Sequence, residues 1–319
     1  LKIEAEKSSN YLRDNFSISK LLRFSKCPRM FYWIDVMKRR PPTVPEYLIT
    51  GRAVHAGQEH DNLSRIEGER PPMKEVLDAA VTVYEEEGGR VVDLFRIDHD
   101  QQLSAYWKTG ERDRLQPVPG TVEAPFEVKL EVKGAPSDVQ AGPAVVSGFV
   151  DVLASVSGTE ADQIILDYKA TGRALSQSDG DDSLQLSLYM MASLTQWARF
   201  VNFISYKKQK PTAKVLPATR MSRAREEQLL EFLSETIGSI RKNLVTGDFP
   251  RCSPECWWCS PAACDFYDQC YPVKRPYLPQ LVTIESISPP GTVPMPEWRK
   301  RRPAVKEEEP DQGGEDVQS

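Results

Sequence analysis

Ser147-Gly148-Phe149-Val150-Asp151-Val152-Leu153 and, after a turn near Gly158-Thr159, Gln163-Ile164-Ile165-Leu166-Asp167-Tyr168-Lys169-Ala170 are two apolar, β-branched runs with the pattern of a hairpin. If the turn centres on Thr159, the numbers of paired residues sum to 318 and Asp151 stands opposite Asp167. Side chains alternate along a strand, so Asp167 and Lys169 share a face, and two acids and one amine converge. Like charges opposed on a sheet among apolar neighbours are destabilising unless a cation neutralises them. Oxygen ligands select Mg²⁺ or Mn²⁺, which can bridge phosphate oxygens and activate water. Lys169 would then orient that water or offset charge in the transition state. The same residues also fit an ordinary edge hairpin whose acids point to water.

The flanking sequence predicts an α/β core. Ser17 to Phe24 reads as a capped amphipathic helix, and Cys27-Pro28 opens another through Ile34. Helices are expected over Gly51 to Ile66, Met73 to Glu87 and Asp100 to Leu115. From Thr121 the period falls to two: Phe126 to Val132 and parts of Val145 to Val156 read as strands. A helix from Asp181 to Trp197, a strand from Phe200 to Tyr206 and a long helix carrying Leu230, Leu233, Ile237, Ile240 and Leu244 complete the order. The expected organisation is a helical region over 1–120, a core over 121–247, a Cys-rich segment over 248–272 and a disordered, Pro- and charge-rich tail over 273–319, open to a protein partner.

The 319 residues carry 41 Lys+Arg against 46 Asp+Glu, a net charge of −5, so bulk positive charge does not bind nucleic acid here and any such contact is local. One local track is offered by Lys207, Lys208, Lys210, Lys214, Arg220, Arg223 and Arg225, which also fit a solvated face. No apolar run approaches the roughly 20 residues of a spanning helix, so no membrane contact is expected. Leu1 to Asn10 lacks the apolar core of a secretory signal, and the expected compartment is the cytoplasm. In that reducing setting the six cysteines are not read as disulfides. Five of them, Cys252, Cys256, Cys259, Cys264 and Cys270, fall in a short Pro-broken stretch, which marks a metal site rather than buried thiols.

Gly51 to His55, Gly148-Phe149-Val150-Asp151, Asp167-Tyr168-Lys169 and Gln185 to Tyr189 stand in this order along the chain. The set resembles the RecB-like branch of the PD-(D/E)xK nucleases in the form that carries an iron–sulfur cluster, as in phage and CRISPR-adaptation exonucleases. The resemblance spans roughly Ser17 to Cys270 and implies a restriction-endonuclease-like fold, a mixed central sheet flanked by helices. It implies that His55, Asp151, Asp167 and the backbone carbonyl of Tyr168 bind catalytic metal, that Lys169 assists the attacking water, and that Gln185 and Tyr189 position DNA or the site. It further implies a 4Fe-4S cluster on Cys27, Cys259, Cys264 and Cys270, pinning the N-terminal helices to the C-terminal segment. Cys252 and Cys256 are surplus thiols that leave this ligand set open, and four thiolates suit structural Zn²⁺ equally well on chemical grounds. The expected activity is metal-dependent exonuclease cleavage of single-stranded or end-bearing DNA. The competing expectations are a non-cleaving DNA-binding or assembly module and a restriction-like endonuclease.

Overall fold

The computed structural model describes residues 14–40, 44–132, 141–156, 163–206, 208–253, 255–261 and 263–271. The hairpin turn near Gly158-Thr159, Lys207 and the tail over 273–319 lie outside these residues.

Strand β1 (Asn15–Ser17) leads into α1 (Ile18–Lys26), α2 (Pro28–Phe31) and a π-helical turn over Tyr32–Val36. Ser17 occupies the N-cap of α1 but makes no side-chain cap bond; its hydroxyl lies 3.0 Å from that of Ser19 instead. The helices α3 (Glu46–Ile66), α4 (Met73–Glu86), α5 (Val92–Lys108) and α6 (Glu111–Arg114) follow. The single helix expected over Asp100 to Leu115 is thus two, because Gly110 adopts the left-handed backbone (φ 74°) that ends a helix. Then come β2 (Gln116–Pro117), β3 (Ala124–Val132), β4 (Gly142–Val150), β5 (Val152–Ser155) and β6 (Gln163–Thr171).

Two short helices, α7 (Gln177–Asp181) and α8 (Leu184–Ala192), replace the one predicted over Asp181 to Trp197. Ser183 caps α8 by accepting from the N–H of Leu186 at 3.2 Å. Leu194, at φ 55°, turns the chain so that Trp197 already belongs to β7 (Trp197–Ile204). Strands β8 (Thr212–Val215) and β9 (Thr219–Arg220) precede α9 (Arg223–Thr246), which ends at Gly247 in the left-handed conformation, and a final turn, α10 (Tyr267–Cys270).

The strands form a three-stranded sheet, β1-β4-β3, and a six-stranded sheet ordered β2-β5-β6-β7-β8 with β9 beside β7. Within the larger sheet β6 and β7 run parallel while β5 and β8 run antiparallel to them, so the fold is a mixed sheet flanked by helices, as expected from the sequence. Central β6 is buried over five successive residues, whereas β3 alternates between half-buried and exposed, the signatures of a strand covered on both faces and of one covered on one. Helices α3 to α5 pack through Val54, Val76, Ala80 and Leu103 onto Leu166, Tyr168, Val201 and Phe203. On the opposite face α8 packs Leu186 and Met190 against Ile165 and Phe200. The N-terminal helices, the small sheet and α9 share a third core through Leu21, Phe31, Val146, Leu233 and Ile237.

Candidate active site

The predicted register holds: Val152 pairs with Leu166, Leu153 with Ile165 and Ala154 with Ile164. The ladder stops one residue short of the two acids, because Asp151 is a bend between β4 and β5 where the chain leaves the small sheet for the large one. With no strand partner there, the Asp151 carboxylate itself accepts the backbone N–H of Tyr168 at 2.7 Å. The shared face of Asp167 and Lys169 is also present, with Lys169 Nζ 2.5 Å from Asp167 Oδ2.

Asp167 is fully buried, and its Oδ1 has no hydrogen-bond partner among the described residues. Burial pushes its carboxyl up to about 6; Lys169 opposes the shift and Asp151 adds to it. Burial likewise raises Asp151, against the pull of His55. His55 comes down from α3, with Nδ1 3.5 Å from Asp151 Oδ2 and 3.6 Å from Glu123 Oε1. Burial alone would depress its imidazole, but Asp151 and a hydrogen bond donated to the Glu123 carboxylate outweigh that and bring it to about 9. A cation taken up by these carboxylates would replace the imidazolium proton, so the group fits a metal without a second source of positive charge.

Lys169 is held from its other side. Its Nζ donates to Gln185 Oε1 at 3.1 Å, and Gln185 Nε2 donates to the Tyr189 hydroxyl at 2.7 Å. One turn of α8 separates Gln185 and Tyr189, which is why the Tyr189 hydroxyl can hold the amide that accepts from Lys169. Phe126 packs edge-on against Tyr189 with ring centroids 5.6 Å apart. That ring occupies the place where a Cβ on Gly148 would sit, 2.9 Å from two of its carbons, which accounts for the glycine three residues before Asp151.

Residues 15–271 match the family model of the PD-(D/E)XK nuclease superfamily. The chain belongs to this superfamily. No curated protein matches the sequence. Among solved structures, SSO0001 is 10% identical with a TM-score of 0.34, over 83% of this chain and 92% of its own. A protein of Eubacterium rectale described as "Putative exonuclease" is 12% identical with a TM-score of 0.42, over 85% and 93% respectively.

One acid of this PD-(D/E)XK nuclease escapes a reading of the motifs. Glu123 closes a triad with His55 and Asp151 whose ligand atoms all lie within 4.8 Å of one another. Its backbone N–H donates to the carbonyl of Asp151 at 2.8 Å, and its φ of 48° is a left-handed conformation that costs a non-glycine residue energy. The signal was present in the register: β3 and β4 pair Ala124 with Val150 and Pro125 with Phe149, and one further step sets Glu123 opposite Asp151.

The cysteines of the nuclease gather at the far ends of the chain. Cys27 is buried between α1 and α2, and the N–H of Arg29 donates to the carbonyl of Pro250 at 3.1 Å. Phe31 stacks on Phe249 at 6.3 Å. Cys27, Cys252, Cys259, Cys264 and Cys270 line one void with Trp33 and Phe266, and Cys256 is not among its lining. Burial and the neighbouring thiols of Cys27 and Cys259 push Cys252 up to about 12.

The predicted basic track is partly absorbed by the fold. Arg225 donates to Ser187 Oγ and the carbonyl of Gly180, and Lys214 to the carbonyl of Leu175. Lys208 and Lys210 remain exposed. Among the described residues no helix is long and apolar enough to cross a membrane.

Proposed function

We propose that the chain is a divalent-metal-dependent exonuclease that hydrolyses phosphodiester bonds of single-stranded or end-bearing DNA. The observation that carries the reading is the buried Asp167, with one oxygen against Lys169 and the other without a partner among the described residues, set beside Asp151 and His55. A buried carboxylate oxygen left unpaired is costly, and a cation is the partner that removes the cost for both acids together. Asp151, Asp167, Glu123 and His55 would hold Mg²⁺ or Mn²⁺, with the carbonyl of Tyr168 as a further oxygen ligand. When bound, the cation supplies Lewis acidity toward the phosphate and lowers the pKa of water.

The chain's own residues do the rest. Lys169, pinned between Asp167 and Gln185, presents an ammonium to the attacking water and to the charge that develops on the phosphate oxygens. Tyr189 fixes Gln185, so Lys169 is preorganised before substrate arrives. Cleavage of end-labelled single-stranded, duplex and circular DNA with Mg²⁺ or Mn²⁺ tests the reading. Wild type should degrade linear but not circular substrate, and Lys169→Ala should degrade neither; activity on closed circles would make it an endonuclease.

The thiols support a 4Fe-4S cluster as a fastening between α1–α2 and the C-terminal segment. Iron and acid-labile sulfide in anaerobically purified protein, absent from a Cys27→Ser/Cys270→Ser variant, is the expected result.

A further inference from the structure

Tyr47, Gly51 and His55 follow one another at intervals of one turn along α3 and share a face. His55 stands at the metal-binding group. At Gly51 an added Cβ would meet nothing within 4 Å. Glycine weakens a helix interior relative to alanine, and among the described residues no neighbouring side chain or backbone takes the room it leaves. Among the described residues the stretch of helix at Gly51 is bare. Tyr47, at the end of the line, is 69% exposed.

Beside Tyr47 opens a cavity of about 470 Å³, walled by Thr50, Arg90 and Leu94 and floored by Ala170 to Gly172. That floor continues β6 directly from Lys169, so the cavity and the metal-binding group lie at two points along one strand and one helix. Its size is within the range of small-ligand sites. Glu46 and Asp98 also line it, and two carboxylates against the single guanidinium of Arg90 disfavour phosphate inside while leaving it suited to a base. An aromatic face takes a base only when that base is unpaired.

We propose that the Tyr47–Gly51–His55 face seats a single DNA strand, whose sugar–phosphate backbone crosses the bare helix at Gly51 and whose neighbouring base stacks on Tyr47 at the cavity mouth. This rests on the nuclease reading for its substrate but is measured without cleavage. The probes are a fluorescein-labelled oligothymidylate and the same strand made of abasic residues, bound to the full chain in EDTA and read by anisotropy, with melting temperature and Mg²⁺-dependent cleavage measured alongside.

Tyr47→Ala should weaken oligothymidylate binding by about 10-fold and leave abasic binding unchanged. Gly51→Ala should melt at the same or a higher temperature and yet bind both strands less tightly, while Leu48→Ala, an exposed neighbour off that face, should bind as wild type does. Wild-type binding by Tyr47→Ala and Gly51→Ala overturns the proposal, and if wild type still cleaves, the nuclease reading survives. A lower melting temperature for Gly51→Ala also overturns it, since the glycine then serves folding. Weakened binding in both variants beside a wild type that never cleaves keeps the strand seat and removes the cleavage reading.

Discussion

Asp151 Oδ2 takes the backbone N–H of Tyr168 at 2.7 Å, so the acid that closes the β5–β6 ladder is also the acid that faces His55. The two roles separate by substitution. Asp151→Asn keeps an acceptor for Tyr168 and loses the charge; it should fold as wild type and cleave at least ~10²-fold more slowly. Asp151→Ala also orphans a buried N–H and should lose a further ~1–3 kcal/mol of stability in urea unfolding. Equal stability of the two variants would show that the hydrogen bond contributes nothing to the fold.

Lys169→Ala should reduce kcat by roughly 10²–10⁴-fold with little change in KM, the pattern of a group acting on the reacting water rather than on binding. Gln185→Ala, which removes the group that pins Lys169, should show a smaller loss of the same kind. Steady-state kinetics on end-labelled DNA separates the two; a change confined to KM in both would place this pair in substrate binding.

Glu123 combines a carboxylate aimed at His55 with a left-handed backbone. Glu123→Gly removes the strain and the ligand together. It should be at least as stable as wild type and bind Mn²⁺ on the order of 10-fold more weakly by calorimetry. Unchanged affinity would remove Glu123 from the ligand set.

His99 lies fully buried between Phe95 and Phe203, its Nδ1 3.1 Å from Gln102 Oε1 and its Nε2 without a hydrogen-bond partner among the described residues. Burial lowers its imidazole to about 4, with Gln102 opposing. The unfolded chain therefore binds the proton more readily, so the contribution of neutral His99 is complete above pH ~6.5 and is lost as pH falls toward 4. The loss should approach about 3 kcal/mol. His99→Leu should lack this part of the acid sensitivity when urea unfolding is compared at pH 7 and pH 4.5.

Cys256 stands off the void that the other five cysteines line. Cys256→Ser should keep wild-type iron and sulfide content and visible absorption, and Cys27→Ser should lose them. Loss of iron in Cys256→Ser would make Cys256 a ligand.

Legibility followed the range over which each feature is specified. The hairpin register and the common face of Asp167 and Lys169 were readable because strand alternation is a property of neighbouring peptide units. Gln185 and Tyr189 were readable as a pair for the same reason at helical period. Element ends were less so: Gly110 and Leu194 stop helices through left-handed backbone, and for Leu194 nothing in the residue type announces it. Glu123 escaped the sequence because its place depends on the β3–β4 register, and alternation within each run shows which residues are strand but not which strands pair or in what register.

By itself, then, the sequence determined the strands from β3 to β7, the amphipathic helices, the hairpin register that brings Asp151 and Asp167 to the end of the β5–β6 ladder, and the cluster of thiols after Gly247. Tertiary structure alone decided that His55 descends onto Asp151, that Glu123 joins them, that Gln185 reaches Lys169 and that Cys252 rather than Cys256 faces Cys27. The physical reason is that local periods of 2 and 3.6 residues fix which side chains share a face, whereas the meeting of two faces is settled by the burial of whole helices and sheets against one another.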